Sequence, residues 1–344
     1  MRRTGVVTHP LYLRHDAGPW HPESPARLRA IYDLLRESGL QQRLVAVEPR
    51  PAAEAEIQRV HSGDYFRRVA ASEGRSLALD PDTHTSPDSY QAALLAAGGA
   101  LALTEAVVAG ELDNGFALVR PPGHHAERAQ ARGFCLFNNI AICASHAIAA
   151  LGLSRVLILD PDLHHGNGTM HAFWDRADVA YISCHQYPFY PGTGALEDAG
   201  QGAGQGYTIS VPLRTGMGDQ EYGAILRDVF APVAAAFEPE LILVSMGYDM
   251  LATDPIGSMR LSPEGSAGLV GQMLDMAAGS AGGRLVLLLE GGYDVRGEAV
   301  AVGKCLRVLL GELDPPRPPA GAGKAAAVIE AVQRLHGRRW PFDG

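Results

Sequence analysis

At 344 residues and 47% hydrophobic content, the chain is long enough to bury a large core, and it reads as one α/β domain rather than two. Lysine and arginine number 29 against 38 acidic residues, a formal charge of -9, so nothing implies bulk attraction to nucleic acid or to an anionic membrane. The basic start MRRTGVVTHP lacks the apolar stretch of a secretion signal and no later run reads as membrane-spanning, so a soluble, cytoplasmic protein is expected.

In chain order, the first predicted strand is TGVVTH. A helix follows in SPARLRAIYDLL, where Ser24 would cap the free amides and Pro25 fits the first turn. SPDSYQAALLAAGGALALTEAV repeats that signal with Ser86 and Pro87. GFALVR is the next strand, and a helix is predicted over Asn138–Leu151 with Gly152 as its stop. RVLILD, VAYISC, ELILVS and RLVLLLE are further strands, with a helix over Asp219–Phe237 between VAYISC and ELILVS. This alternation predicts a central, mainly parallel sheet flanked by helices on both faces. Asp314–Gly323, DPPRPPAGAG, reads as an extended, flexible connector to a terminal helix around Lys324–Leu335. No repeat or internal boundary is visible, so residues 1–312 are expected to form the main unit, with 313–344 packed on it. Cys135, Cys143, Cys184 and Cys305 form no CxxC pair and suit buried free thiols.

Polar residues cluster where the predicted strands end. Asp160, Asp162, His164 and His165 follow RVLILD, His124 and His125 follow GFALVR, Asp249 follows ELILVS, and Gly291, Gly292 and Tyr293 follow RLVLLLE. In an open parallel sheet all carboxyl ends face one side, so these groups are expected to form one site. An Asp-x-His step in extended backbone would put Asp162 and His164 on one side, with Asp249 as third ligand and a fourth position left for water. Zinc suits that set, and iron, cobalt or manganese would also accept it. The adjacent His124 and His125 fit proton transfer to and from one bound water. They also fit a second metal, which would recruit His124, His185 or Asp160.

The stretches HPESPARL (21–28), RPPGHHA (120–126), GFCLFNN (133–139), ILDPDLHHGNGT (158–169), FYPGTG (189–194), VSMGYD (244–249) and EGGY (290–293) together resemble the zinc-dependent histone deacetylase and acetylpolyamine amidohydrolase family, in a bacterial class II-like member. The resemblance implies a single arginase-like α/β domain and an amide hydrolase. It implies zinc, with Fe2+ or Co2+ as substitutes, on Asp162, His164 and Asp249. By the same resemblance Tyr293 bonds the polarised carbonyl, His125 is the general base and acid, and His124 is its electrostatic partner, oriented by Asp160. A structural potassium ion would be held by Asp160, Asp162, His164, Ser183 and the Cys184 carbonyl.

Asn167 stands where some relatives carry aspartate. It would orient His125 without stabilising the imidazolium by charge, so a His125 pKa lower than an aspartate partner would give is expected. Gly133, Phe134, Tyr190, Ile256, Gly291 and Gly292 match a substrate tunnel, with Asp80 and Asp82 as candidate rim acids. Met246, Tyr248, Met250 and Pro161 depart from the commonest family residues and are expected to alter the pocket or its rim. The substrate expected is acetyl-lysine, or another small acyl group on an amine, in a peptide, protein or small molecule. Ile256 replaces the glutamate of one polyamine-selective branch, so acetylpolyamine is the alternative. A binuclear arginase-type hydrolase and a noncatalytic acyl-amine binder are the alternatives of other classes. A homo-oligomer is left open.

Overall fold

All six predicted apolar runs form strands in the computed structural model, which describes residues 2–342. Ten strands occur among those residues: β1 (Thr4–Val7), β2 (Val45–Ala46), β3 (Ala78–Asp80), β4 (Thr83–His84), β5 (Asn114–Ala117), β6 (Val156–Asp160), β7 (Val179–Gln186), β8 (Thr208–Leu213), β9 (Leu241–Met246) and β10 (Leu285–Leu289). Eight of them make one sheet in the order β2-β1-β5-β10-β9-β6-β7-β8, with every neighbouring pair parallel. β3 and β4 form a separate antiparallel hairpin. The result is a single α/β domain of arginase-like architecture. β6, β9 and β10 are buried along their whole length, which is why they read as unbroken apolar runs instead of alternating ones.

The strand order positions the site. β5, β10, β9 and β6 are consecutive in the sheet although far apart in the chain, and the loops leaving their carboxyl ends carry the clustered polar residues. β2, β8 and the β3/β4 hairpin were not expected. β2 has two residues, and β8 contains Pro212, which argues against a central strand but is tolerated where β8 lies, at the sheet edge.

Several helix boundaries differ from expectation. Ser24 occupies the N-cap of the helix Pro25–Glu37 without a capping side-chain hydrogen bond. The next predicted helix starts at Ser89 behind Asp88, because the Ser86 hydroxyl is bonded to the Arg14 carbonyl at 3.1 Å and Ser86 N donates to Ser89 Oγ at 2.7 Å. That helix, Ser89–Val108, is long and apolar enough by composition to cross a membrane, contrary to the sequence expectation, but 72% of the relevant window is buried inside the protein. The predicted helix over 219–237 is interrupted by a π turn, Leu226–Phe230, before Ala231–Phe237. Pro232 has no N–H for the Asp228 carbonyl, and Gln333 Nε2 from the terminal helix Ala326–His336 donates to that carbonyl instead, at 3.0 Å.

The connector is extended but not free. A Cβ built on Gly271 would lie 2.2 Å from Pro315 Cβ, one on Gly223 2.2 Å from Pro318 Cβ, and one on Gly268 2.5 Å from the Pro316 carbonyl. Three helix glycines thus form the seat for three connector prolines, which docks the connector on the domain. Beyond it, Ile329 and Val332 are buried in the core and the Trp340 indole donates to the Gly206 carbonyl at 2.9 Å.

A buried ion network fixes the N-terminal loops under the site. Arg27 donates to Glu298 at 2.7 and 3.2 Å, to Glu23 at 3.0 Å and to the Glu290 carbonyl at 2.6 Å, while Arg120 forks onto both oxygens of Glu23. All four side chains are fully buried. Removing one partner would strand a desolvated charge, so Arg27→Met is expected to lower the unfolding free energy by about 3–5 kcal/mol. Urea denaturation reads that shift directly; a midpoint unchanged from the parent would mean that the network carries no stability.

Candidate active site

Asp162, His164 and Asp249 converge behind the ends of β6 and β9, with one ligand atom from each within 4.8 Å of the others and all three residues buried. The expected extended Asp-x-His step is not how they meet. Residues 161–164 bend after β6, with the His164 amide donating to Asp162 Oδ1 at 2.8 Å, and Leu163 still turns into the core. His164 Nδ1 lies 2.8 Å from Asp249 Oδ2 and 3.5 Å from Asp162 Oδ1. Burial opposes charge on His164, yet its hydrogen bonds to the two carboxylates outweigh this and raise its pKa to about 9. Burial, and then the charge of Asp162, push Asp249 up to about 6. Two buried carboxylates facing one imidazole form a site that calls for positive charge, and this donor set fits a divalent cation.

Glycines make room for those carboxylates. A Cβ on Gly247 would lie 1.9 Å from Asp162 Oδ2, and one on Gly291 2.4 Å from Asp249 Oδ2. Gly291 also donates its amide to Asp162 Oδ2 at 3.1 Å. Gly291, expected along the tunnel, therefore stands behind the ligands, while Gly292 faces Tyr248 and Glu298, and both lie outside the cavity lining.

His124 and His125 pack ring to ring at 4.1 Å. His124 Nδ1 lies 3.2 Å from Asp160 Oδ2; burial alone would lower its pKa, but Asp160, Asp162 and Glu290 together raise it to about 10. His125 is held well below the ordinary range, first by burial and then by the charges of His124 and His164. Burial is the main cause, and the hydrogen bond to Asn167 acts in the opposite, raising direction. His125 Nδ1 is 2.7 Å from Asn167 Oδ1, leaving Nε2 for the cavity.

The cavity, of about 170 Å³, is lined by Asp82, His125, Gly133, Phe134, His164, Phe189, Tyr190, Ile256 and Tyr293. Phe134 has φ +68° and Gly133 φ +57°; a Cβ on Gly133 would lie 2.3 Å from His125 Cδ2, so only glycine fits there. Asp82 Oδ1 and Thr83 Oγ1 accept from the amides of Gly133 and Phe134 at 3.1 and 3.0 Å, which makes Asp82 an anchor of the wall. Asp80 is outside the lining and accepts from Gln130 Nε2 at 2.9 Å. Met246, Tyr248 and Met250 are fully buried core residues and do not shape the cavity.

Tyr293 sits edge-on to Phe134, with ring centroids 5.9 Å apart and the Arg27 guanidinium 5.3 Å from its own. Burial raises its pKa well above the ordinary value, keeping the phenol a neutral donor.

Four contributors were missed in the sequence. Phe189 stacks on His164 at 5.4 Å, and its neighbour Tyr190 was the signal that pointed to it. His21 packs on Phe134 at 4.5 Å. Asp254 accepts from the amides of Tyr293, Asp294, Ile256 and Gly257, tying the phenol loop to the Ile256 loop. Glu290 accepts from the amides of Gly123 and His124 at 2.7 and 3.1 Å.

Of His124, His185 and Asp160, the groups a second metal would recruit, His185 is already committed. Both ring nitrogens of His185 are engaged, one with Ser183 Oγ and one with the Gly194 carbonyl, each at 2.8 Å. A different group, Glu56, Glu105 and His146, also has metal-ligand spacing, but Arg50 already bonds both glutamates at 2.7–2.9 Å. Asp160 Oδ1, next to the expected potassium shell, is buried without a hydrogen-bond partner.

The fold and the Asp, His, Asp donor set are those of a metal-assisted α/β hydrolase. The histone deacetylase domain matches residues 21–309, and the chain belongs to that family. It is 38% identical to a probable deacetylase of Archaeoglobus fulgidus over 98% of both chains. Identity is 40% to a histone deacetylase-like amidohydrolase of Pseudomonas aeruginosa, over 85% of this chain and 82% of the relative. It is also 40% to the human polyamine deacetylase HDAC10, of which this chain spans 49%. The crystal structure of the HDA15 HD domain superimposes with a TM-score of 0.92 at 36% identity, covering 99% of this chain and 96% of that one.

Proposed function

We propose that the chain is a zinc-dependent deacetylase that hydrolyses the amide of acetyl-lysine, or of a related small N-acyl amine. The observation that carries this reading is the narrow cavity, walled by Phe134, Phe189 and Tyr190, that ends at His125, His164 and Tyr293. Such walls admit a slender aliphatic chain and place its terminal amide against the polar groups.

A divalent cation on Asp162, His164 and Asp249 would polarise the carbonyl and acidify a bound water. His125 accepts the water proton at Nε2 as the oxygen bonds to the carbonyl carbon. The hydroxyl of Tyr293 donates to the oxyanion that develops on the former carbonyl oxygen. His125 then returns its proton to the amine nitrogen as the C–N bond breaks, giving a carboxylic acid and a free amine. His124, bonded to Asp160, keeps a positive charge beside His125 that disfavours its protonated form and so favours return of the proton to the amine.

Zinc suits the Asp, His, Asp set because it keeps a position open, and Fe2+ or Co2+ fit the same donors. A potassium ion held by Asp160, Asp162, His164, Ser183 and the Cys184 carbonyl would satisfy the orphaned Asp160 Oδ1. Asn167 as the partner of His125 favours a class II-like member. Asp249→Ala is expected to abolish both metal binding and turnover, read by elemental analysis beside activity; full metal content in that variant would remove Asp249 from the ligand set.

The second reading, an acetylpolyamine hydrolase, draws on the similarity to human HDAC10, a polyamine deacetylase, and on Asp82, the single carboxylate in the cavity lining. Ile256 in the same wall favours an uncharged substrate stem over an ammonium. Steady-state kinetics on acetyl-lysine peptide, acetylputrescine, acetylspermidine and longer acyl-lysines, with enzyme of measured metal content, separate the two. A higher kcat/KM on the acetylpolyamines would overturn the acyl-lysine reading, and no turnover of any would leave an acyl-amine binder.

A further inference from the structure

The hydrogen bonds behind His125 do not stop at Asn167. Asn167 Nδ2 donates to Glu127 Oε1 at 2.5 Å and to the His125 carbonyl at 3.2 Å, while Oδ1 faces His125 Nδ1 at 2.7 Å. Carboxylate and carbonyl oxygens only accept at this pair, so the amide NH2 must turn toward them and its oxygen toward the ring. An acceptor at that position requires the proton on Nδ1 and leaves the lone pair on Nε2, the atom on the cavity side.

Glu127 is itself fixed in place. Its carboxylate oxygens lie 2.9 and 3.0 Å from His171 Nδ1, its amide donates to the Gln130 carbonyl at 2.9 Å, and His61 Nδ1 lies 2.8 Å from its own carbonyl. The side chain is only 20% exposed, so its charge acts on Asn167 with little screening.

We propose that Glu127 is a positioning residue for hydrolysis: it locks the Asn167 amide so that His125 keeps its proton on Nδ1, and it places one residue further out the negative charge that a directly bonded aspartate would supply. This rests on the amide-hydrolase reading above. Without the carboxylate, the Asn167 amide is freer to rotate its NH2 toward Nδ1. That orientation favours the tautomer protonated on Nε2, which cannot accept a proton from water.

Glu127→Gln preserves shape and removes the charge. It is expected to lower kcat on an acetyl-lysine peptide by about 10–100-fold, with metal content unchanged and KM within about twofold. The decisive comparison is Asn167→Asp in two backgrounds. Beside Glu127 it sets two carboxylates face to face and should reduce kcat further; in Glu127→Gln it returns the charge directly to His125 and should restore kcat toward the parent. A role in packing alone predicts the same sign in both backgrounds, and that result, or a parental kcat in Glu127→Gln, overturns the proposal.

Imidazole 15N shifts of the metal-loaded protein, assigned to His125 by difference with His125→Ala, give a readout independent of turnover. The parent should show the Nδ1–H tautomer and Glu127→Gln a mixture; an identical spectrum counts against the proposal. If the parent turned over no acyl amine, the hydrolase reading would fall, and these spectra would still decide whether Glu127 sets the tautomer.

Discussion

Tyr293→Phe is expected to lower kcat by about 10²–10³-fold, the effect of deleting one preorganised donor to an oxyanion. The substitution removes one oxygen and keeps the ring that packs on Phe134 and lies under Arg27, so the cavity wall should hold its shape. Burial keeps the phenol protonated through the working pH range, so the donor is present whenever substrate is bound. Because the bond strengthens only as charge develops on the carbonyl oxygen, the loss should fall on kcat, with KM and metal content nearly unchanged. Single-turnover rates beside metal analysis check this. A variant with parental kcat would remove Tyr293 from the chemistry and favour the binuclear hydrolase, which has no use for a phenol.

His125→Ala should retain the metal and lose about 10²–10⁴-fold in kcat/KM, the range for a positioned general acid and base. His125 Nδ1 is taken up by Asn167, so the ring is not among the groups gathered around the cation. The pH dependence has a definite sign. His125 must be neutral to accept a proton, and burial with its cationic neighbours lowers its pKa, so kcat/KM should stay high as pH falls through the ordinary histidine range and drop only below it. Metal loss in His125→Ala would instead make this residue a ligand, and an acid limb near pH 6.5 in the parent would show that its environment does not depress the group.

Much of the site was legible because parallel-sheet topology converts strand ends into neighbours. An apolar run followed by Asp, His or Tyr marks a carboxyl-end loop, and four such loops lie on consecutive strands here. The distribution of duties among nearby residues was less legible. Gly291 matches a tunnel motif, yet it clears space for the Asp162 and Asp249 carboxylates, which arrive from other strands. Asp80 and Asp82 are two residues apart, at the end of β3 and in the turn that follows it, and only Asp82 reaches the lining, while Asp80 faces Gln130. The connector read as flexible because proline and glycine punctuate it, whereas its seat consists of glycines from helices far away in the chain.

The sequence by itself determined the alternation of strand and helix, the identity of the groups at the strand ends and, through its ordered motifs, the family resemblance. These depend on local periodicity and on residue type, which one dimension contains. Only the tertiary structure decided that Phe189 joins the cavity wall, that His21 packs on Phe134, that Asp254 ties the Tyr293 loop to the Ile256 loop, and that Glu127 stands behind Asn167. Each of these depends on the direction of a side chain within a loop, and that direction is set by backbone turns and by neighbours from other strands, which no spacing along the chain encodes.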